Sequence, residues 1–148
     1  MNYCMDAYFL LRTFKKEHSP EGVWFHENVL QAPHGSVILS IFTEINLYSH
    51  ASRIPDPLYR SNAISDISEM FYDVENGNLD KHSVISMSRE NLRSIGIAQP
   101  NFPDMSLEAL VLLFIHEYYN AQILISSQGM KKIFRNTKLI PDQDYIEF

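Results

Sequence analysis

The side chains best suited to chemistry are a few polar residues set among apolar ones. His116-Glu117-Tyr118-Tyr119-Asn120 approaches the pattern by which a helix chelates zinc. That pattern needs two histidines one turn apart, with a glutamate beside the first to act as base. Asn120 stands where the second histidine would be, and asparagine is a poor zinc ligand. The segment therefore reads as the polar edge of a buried helix. The other histidines, His18, His26, His34, His50 and His82, are scattered without metal-ligand spacing. Cys4 is the single cysteine, which leaves no thiolate metal site and no intramolecular disulfide. An inert, buried thiol is expected. None of the five glycines belongs to a phosphate-cradling loop, and no serine sits in a glycine-flanked elbow. No cofactor or metal is expected.

Two constellations remain. Asp66, Glu69 and Asp73 recur at i, i+3 and i+7, which places them along one face of a helix; Glu75 and Asp80 carry the negative charge onward. No lysine or arginine falls between Arg60 and Lys81 to neutralise it. Like charges at this spacing cost a few tenths of a kcal/mol per pair, so the face is expected to serve as a docking surface for a basic protein. Its potential accelerates encounter and imitates the phosphates a nuclease expects. The second constellation is Arg12 and His18, with five residues between them. That spacing resembles the arginine–histidine pair of the helical HEPN ribonucleases. The resemblance implies RNA cleavage without metal, the histidine handling the proton and the arginine the phosphate charge. Thr13 replaces the polar residue that usually follows the arginine.

Helices are expected to carry both sets. Tyr3, Ala7, Leu10, Leu11 and Phe14 fall at helical spacing over residues 3–16, closed by Ser19-Pro20-Glu21-Gly22. Residues 23–31 are ambiguous, with Trp24 and Phe25 as core anchors. Ser36 is a plausible N-cap for residues 37–49, where two templates compete. Val37, Ile38, Ile41, Phe42, Ile45 and Tyr48 share a helical face, whereas Val37, Leu39, Ile41, Thr43, Ile45 and Leu47 alternate as in a strand. Length favours the helix, since strands average about 5–6 residues. Ser61 or Asn62 caps a helix through Glu75, with Ile64, Ile67, Met70, Phe71 and Val74 inward and Gly77 as the stop. A short helix over 88–95 ends at Gly96. The segment 106–127 is apolar around most of a helical circumference, as expected of a central helix wrapped by others, and Gly129 ends it. Lys131, Lys132, Arg135 and Lys138 follow. The tail returns to the body through Tyr145, Ile146 and Phe148.

The expected fold is thus a single mainly α domain over 1–148, a helical bundle around a long central helix near 106–127. The alternative is α+β, with a strand near 37–47. A core is affordable, because 148 residues with 45% hydrophobic and 12% aromatic content suit one domain. The most apolar window, 107–125, is broken by Glu108, His116, Glu117, Asn120 and Gln122, so it is too polar for a span of about 20 apolar residues. The N-terminal apolar stretch is interrupted by Asp6 and lacks a preceding basic segment, which leaves the cytoplasm as the expected compartment. A net charge of −6 disfavours nucleic acid and anionic membranes and leaves basic proteins as partners. Small size, acidity and missing catalytic motifs look like a bacterial antitoxin or toxin-immunity protein, not an enzyme, and the neutralised partner would be a toxin or nuclease; the alternatives are the metal-independent ribonuclease of Arg12 and His18, and a structural or scaffold subunit.

Overall fold

The computed structural model describes residues 1–14, 19–75, 83–85, 89–98, 105–138 and 140–148. Its centre is a parallel β-sheet, and this corrects the expectation of a helical bundle. The elements run β1 (Asn2–Met5), α1 (Ala7–Phe14), α2 (Pro20–Phe25), a π-helical turn (His26–Leu30), β2 (Ser36–Ser40), α3 (Ile41–Ala51), α4 (Pro57–Glu75) and β3 (Ser83–Ile85). Then come α5 (Arg89–Ala98), α6 (Leu107–Tyr119), β4 (Ala121–Ile125), α7 (Gln128–Thr137), a 3-10 turn (Asp142–Asp144) and β5 (Tyr145–Glu147). The strands lie in the order β3-β2-β1-β4-β5, and every pairing is parallel.

This order means that the chain winds outward from β1 through β2 to β3, then returns to lay β4 on the other side of β1. Right-handed crossovers oblige the two halves to place their helices on opposite faces. The buried residues divide accordingly. Tyr3, Met5, Val37, Leu39 and Leu124 pack with Phe9, Leu10, Leu47, Ala63, Ile67 and Phe71 of α1, α3 and α4. Their alternates Cys4, Ile38, Ile123 and Ile125 pack with Ile95, Ala109, Val111, Leu112, Ile115, Met130 and Phe134 of α5, α6 and α7. Each strand feeds two cores, so it reads as continuously apolar.

That property explains the misreadings. Ala121–Ile125 was expected as the last turns of the long helix, yet α6 stops at Tyr119 and Asn120 turns the chain at φ 50°. Asparagine tolerates this left-handed conformation and commonly ends helices there. The contested stretch 37–49 is shared: β2 takes 36–40 and α3 begins at Ile41. The N-cap is Ser40, whose Oγ accepts from Thr43 N, and not Ser36. Likewise the supposed first helix begins as β1, and Ser19, expected as part of a stop, caps α2 with Pro20 in its first turn. Gly96 and Gly129, expected as helix ends, lie inside α5 and α7. The helix expected through Glu75 is present and starts earlier, at Pro57. Ile67 and Phe71 are buried on it.

The tail does return, as expected. Phe148 meets Phe9 and Trp24 edge-on at centroid distances of 4.9 and 5.7 Å, and Trp24 also meets Tyr3 at 5.0 Å. Such pairs add about 0.5–1.5 kcal/mol each beyond their burial. Arg135 clasps Glu147 through a bidentate pair, so the basic stretch neutralises the tail. Among the described residues no helix is long and apolar enough to cross a membrane.

Gly35 enters β2 through a close backbone approach. A Cβ there would lie 2.2 Å from Asn28 O and 2.9 Å from Val29 Cα. Both are main-chain atoms of the π-helical turn, so the backbone would have to move. Gly35→Ala is expected to cost roughly 1–3 kcal/mol, read as a lower thermal midpoint with an unchanged far-UV spectrum; a variant as stable as the parent would contradict the packing described.

Candidate functional site

In an open parallel sheet, ligands bind beyond the carboxyl ends of the strands where the winding reverses. Here that place lies between β1 and β4, and three acidic side chains gather around it. Asp6 follows β1 directly. Its Oδ1 accepts from Phe9 N at 2.7 Å and so caps α1, while its Oδ2 accepts from Ser126 N at 3.1 Å and Ser127 N at 2.9 Å beyond β4. Asp6 is fully buried. Glu108, in the first turn of α6, accepts from Ala7 N at 2.9 Å through Oε1. Glu21 of α2 accepts from Ser126 Oγ at 3.0 Å through Oε1. Its second oxygen, Oε2, is buried without a hydrogen-bond partner, although the residue is only 3% exposed.

An orphaned buried carboxylate oxygen is costly, and the local charge balance is uneven. Burial pushes the Asp6 carboxyl above its ordinary value, against the three backbone N–H donors and Lys131, which favour the ion. Burial likewise raises Glu108, and the neighbouring Asp6 charge raises it further, while Ala7 N–H opposes. Two cations approach: Arg12 Nε lies 3.7 Å from Glu21 Oε1, and Lys131 acts on Asp6. The N-terminus of the ten-residue α7, capped by Ser127, opens from the same edge and favours anions there. Among the described residues no group of three or more His, Cys, Asp or Glu side chains forms a ready metal cage. A surface hollow of about 860 Å³ shares no residue with the carboxylates; it lies against Arg135, Lys138 and Tyr145.

The residues singled out by spacing fare differently. Arg12 stands at the site, on α1, but as a partner of Glu21. His18 lies outside the described residues, and the all-helical frame implied by the HEPN resemblance is replaced by a parallel sheet. Asp66 and Glu69 are exposed on α4, and Asp73 is half-buried with a partner of its own. The Glu75 side chain and Asp80 lie outside the described residues. Asp66, Glu69 and Asp73 are not among the carboxylates at the sheet edge. His116 is the polar edge of α6, as expected, with Nδ1 2.8 Å from Ala121 O. Cys4 is buried and its thiol is pushed strongly upward by desolvation, which suits an inert role.

Asp6, Glu21 and Glu108 carry no spacing signal, being 15 and 87 residues apart in sequence. The available signals were local. Asp6 ends a short apolar run, and Glu108 follows the Ser106 cap by two residues. Both were read as mere interruptions of apolar segments.

Because the folded-state values of Asp6 and Glu108 lie above the ordinary ones, ionising them opposes folding. Their contribution is therefore intact below the ordinary carboxylate range and lost as pH rises through the raised values. Glu108→Gln keeps an oxygen for Ala7 N–H and removes the charge. We expect its urea midpoint to fall less than the parent's between about pH 5 and pH 8, and a steeper fall would refute the assignment. No protein-family model matches the chain, and no curated protein matches it.

Proposed function

We propose that this protein is a divalent-cation-dependent phosphodiesterase, a nuclease in class, acting at the β1/β4 edge. The observation that carries the reading is the partnerless, buried Oε2 of Glu21, whose Oε1 shares Ser126 with Asp6 at the edge where Glu108 meets Ala7 N. Magnesium-class cations need only one or two carboxylates, and complete their octahedron with water and substrate phosphate oxygens. A ready cage is therefore not required. Glu21 has an oxygen to offer, while the free oxygen of Glu108 is kept for the attacking water. Asp6 uses most of its acceptor capacity on backbone and supplies charge and rigidity instead. When bound, the cation supplies charge neutralisation and acidifies a water molecule.

The protein's own groups do the remainder. Glu108 takes the proton from the attacking water as a new P–O bond forms. The ester P–O bond breaks, and solvent protonates the departing alkoxide. The α7 N-terminus and Arg12 hold the phosphate oxygens. This use of Glu108 fits its raised pKa, which brings a carboxylate nearer to a base's working range. The net charge of −6 weakens unassisted polyanion binding, and the cation offsets that repulsion where it matters.

The test is cleavage of single-stranded RNA and DNA with magnesium or manganese, against the same reaction in chelator. Glu108→Gln is expected to lower the rate roughly 10²–10⁴-fold without loss of thermal stability, and the cations are expected to raise the parent's melting temperature more near pH 8 than near pH 5. Inertness towards both nucleic acids would sink the proposal. Cleavage that persists in chelator and disappears in His18→Ala would instead support the metal-independent pair.

A second reading keeps the acidic helix as a docking face for a basic protein, in the manner of an antitoxin or immunity protein. Its support is that Asp66 and Glu69 are exposed on α4 together with Leu58 and Tyr72, which are 72% and 64% exposed. Tyr72 follows Glu69 by three residues and so shares its face, and an aromatic among polar groups is a common interface composition. Reversing Asp66 and Glu69 to lysine is expected to slow association with a basic partner steeply and to flatten its salt dependence. Unchanged association kinetics would dismiss this face.

A further inference from the structure

A second concavity, of about 270 Å³, has Arg12 in its wall. It is lined by Tyr8, Leu11 and Arg12 of α1, His50 at the end of α3, Arg53, Ile54 and Pro55 of the following loop, and Tyr59 of α4. Its chemistry contrasts with the rest of this acidic molecule. Two guanidinium groups and an imidazole face the space, and among the described residues no carboxylate lines it. The walls are aromatic: Tyr8 and His50 pack at a centroid distance of 4.8 Å with an interplanar angle of 59°, and Tyr8 remains 43% exposed. Burial and the nearby Arg53 charge lower the His50 pKa, so near neutral pH the ring is an uncharged hydrogen-bonding surface and the arginines carry the charge.

We propose that this cavity binds a phosphorylated nucleoside unit. The phosphate sits on Arg53 and on the outer nitrogens of Arg12, and the base lies against Tyr8 and His50. At about 270 Å³ the cavity falls just below the about 300–1,000 Å³ of usual ligand sites, so it has room for one nucleotide unit and not several. Arginine offers five donors in a fixed fork, so the Nε contact of Arg12 with Glu21 at 3.7 Å leaves its outer edge for a second anion. A base on an aromatic ring is stabilised without regard to sequence, as an open, tilted wall such as Tyr8–His50 requires. Arg12 joins the cavity to the carboxylate edge. The inference therefore rests on the phosphodiesterase reading for its purpose, supplying the nucleotide next to the bond cleaved. It does not rest on that reading for its existence.

The experiment is calorimetric titration of the full chain with adenosine 5′-monophosphate, uridine 5′-monophosphate, ribose 5-phosphate and inorganic phosphate, all in chelator. Both nucleotides are expected to bind, and ribose 5-phosphate to bind roughly 5- to 100-fold more weakly for want of a base. Arg53→Glu and Tyr8→Ala change exposed positions and are each expected to raise the nucleotide Kd by about tenfold or more, with thermal midpoints near the parent's. Glu108→Gln is expected to bind as the parent does, which separates failure of this site from failure of the catalytic proposal. On that variant, competition by a short single-stranded oligonucleotide assigns the site to a unit within a chain, and lack of competition to a free nucleotide. No nucleotide binding at millimolar concentrations, equal binding of phosphate and nucleotide, or indifference to Arg53→Glu overturns the inference.

Discussion

One carboxylate, that of Asp6, ties together the point at which the chain reverses its winding. The Asp6 amide donates to Leu124 O at 3.1 Å, extending the β1–β4 ladder by one step, while the side chain caps α1 and holds the two amides that begin the turn into α7. Two segments about 120 residues apart in sequence thus share one buried carboxyl group. Parallel strands cannot close on each other through a short turn, so their register at the edge depends on such long-range contacts. Glu108 adds a second tie across the same gap, from α6 to Ala7 N. The arrangement is strong where the hydrogen bonds are made and costly where charge is buried. That tension keeps acidic groups concentrated at the mouth of the sheet.

The two cores make the edge rigid. Alternate residues of β1, β2 and β4 enter opposite clusters, so a slip of one residue in any of these strands would exchange both. On the α1–α4 side, Trp24 gathers Tyr3, Phe9 and Phe148; on the other, Phe134 meets Tyr145 at 5.6 Å. The last strand is held from both faces, and the Arg135–Glu147 pair and the Lys131 ammonium on Phe148 O lie over it. These contacts secure α7, and with it the helix N-terminus that faces the carboxylates.

Charge is distributed unevenly for a protein of net −6. Acidic groups lie both at the sheet edge, where they are buried, and along α4, where Asp66 and Glu69 meet solvent. Between these regions Arg12 and Arg53 line a common cavity. In the proposed reading, the acids at the switch point hold the cation and the arginines and aromatic rings beside them take the phosphate chain, which places the positive charge locally on an acidic body.

By itself the sequence determined the apolar segments, the helix over 57–75 apart from its first turn, the return of the tail, the burial of Cys4 and the place of His116 at a polar edge. These follow from composition and local period, which act over a few residues. It also supported a strand near 37–47, but as the lesser alternative. The tertiary structure decided the sheet. A central parallel strand such as Ala121–Ile125 is covered on both faces and shows no alternation, so over five residues it is indistinguishable from the end of an apolar helix. It also decided the site. Asp6, Glu21 and Glu108 meet only because β1 and β4 pair, and no periodicity along the chain encodes a pairing between segments more than a hundred residues apart.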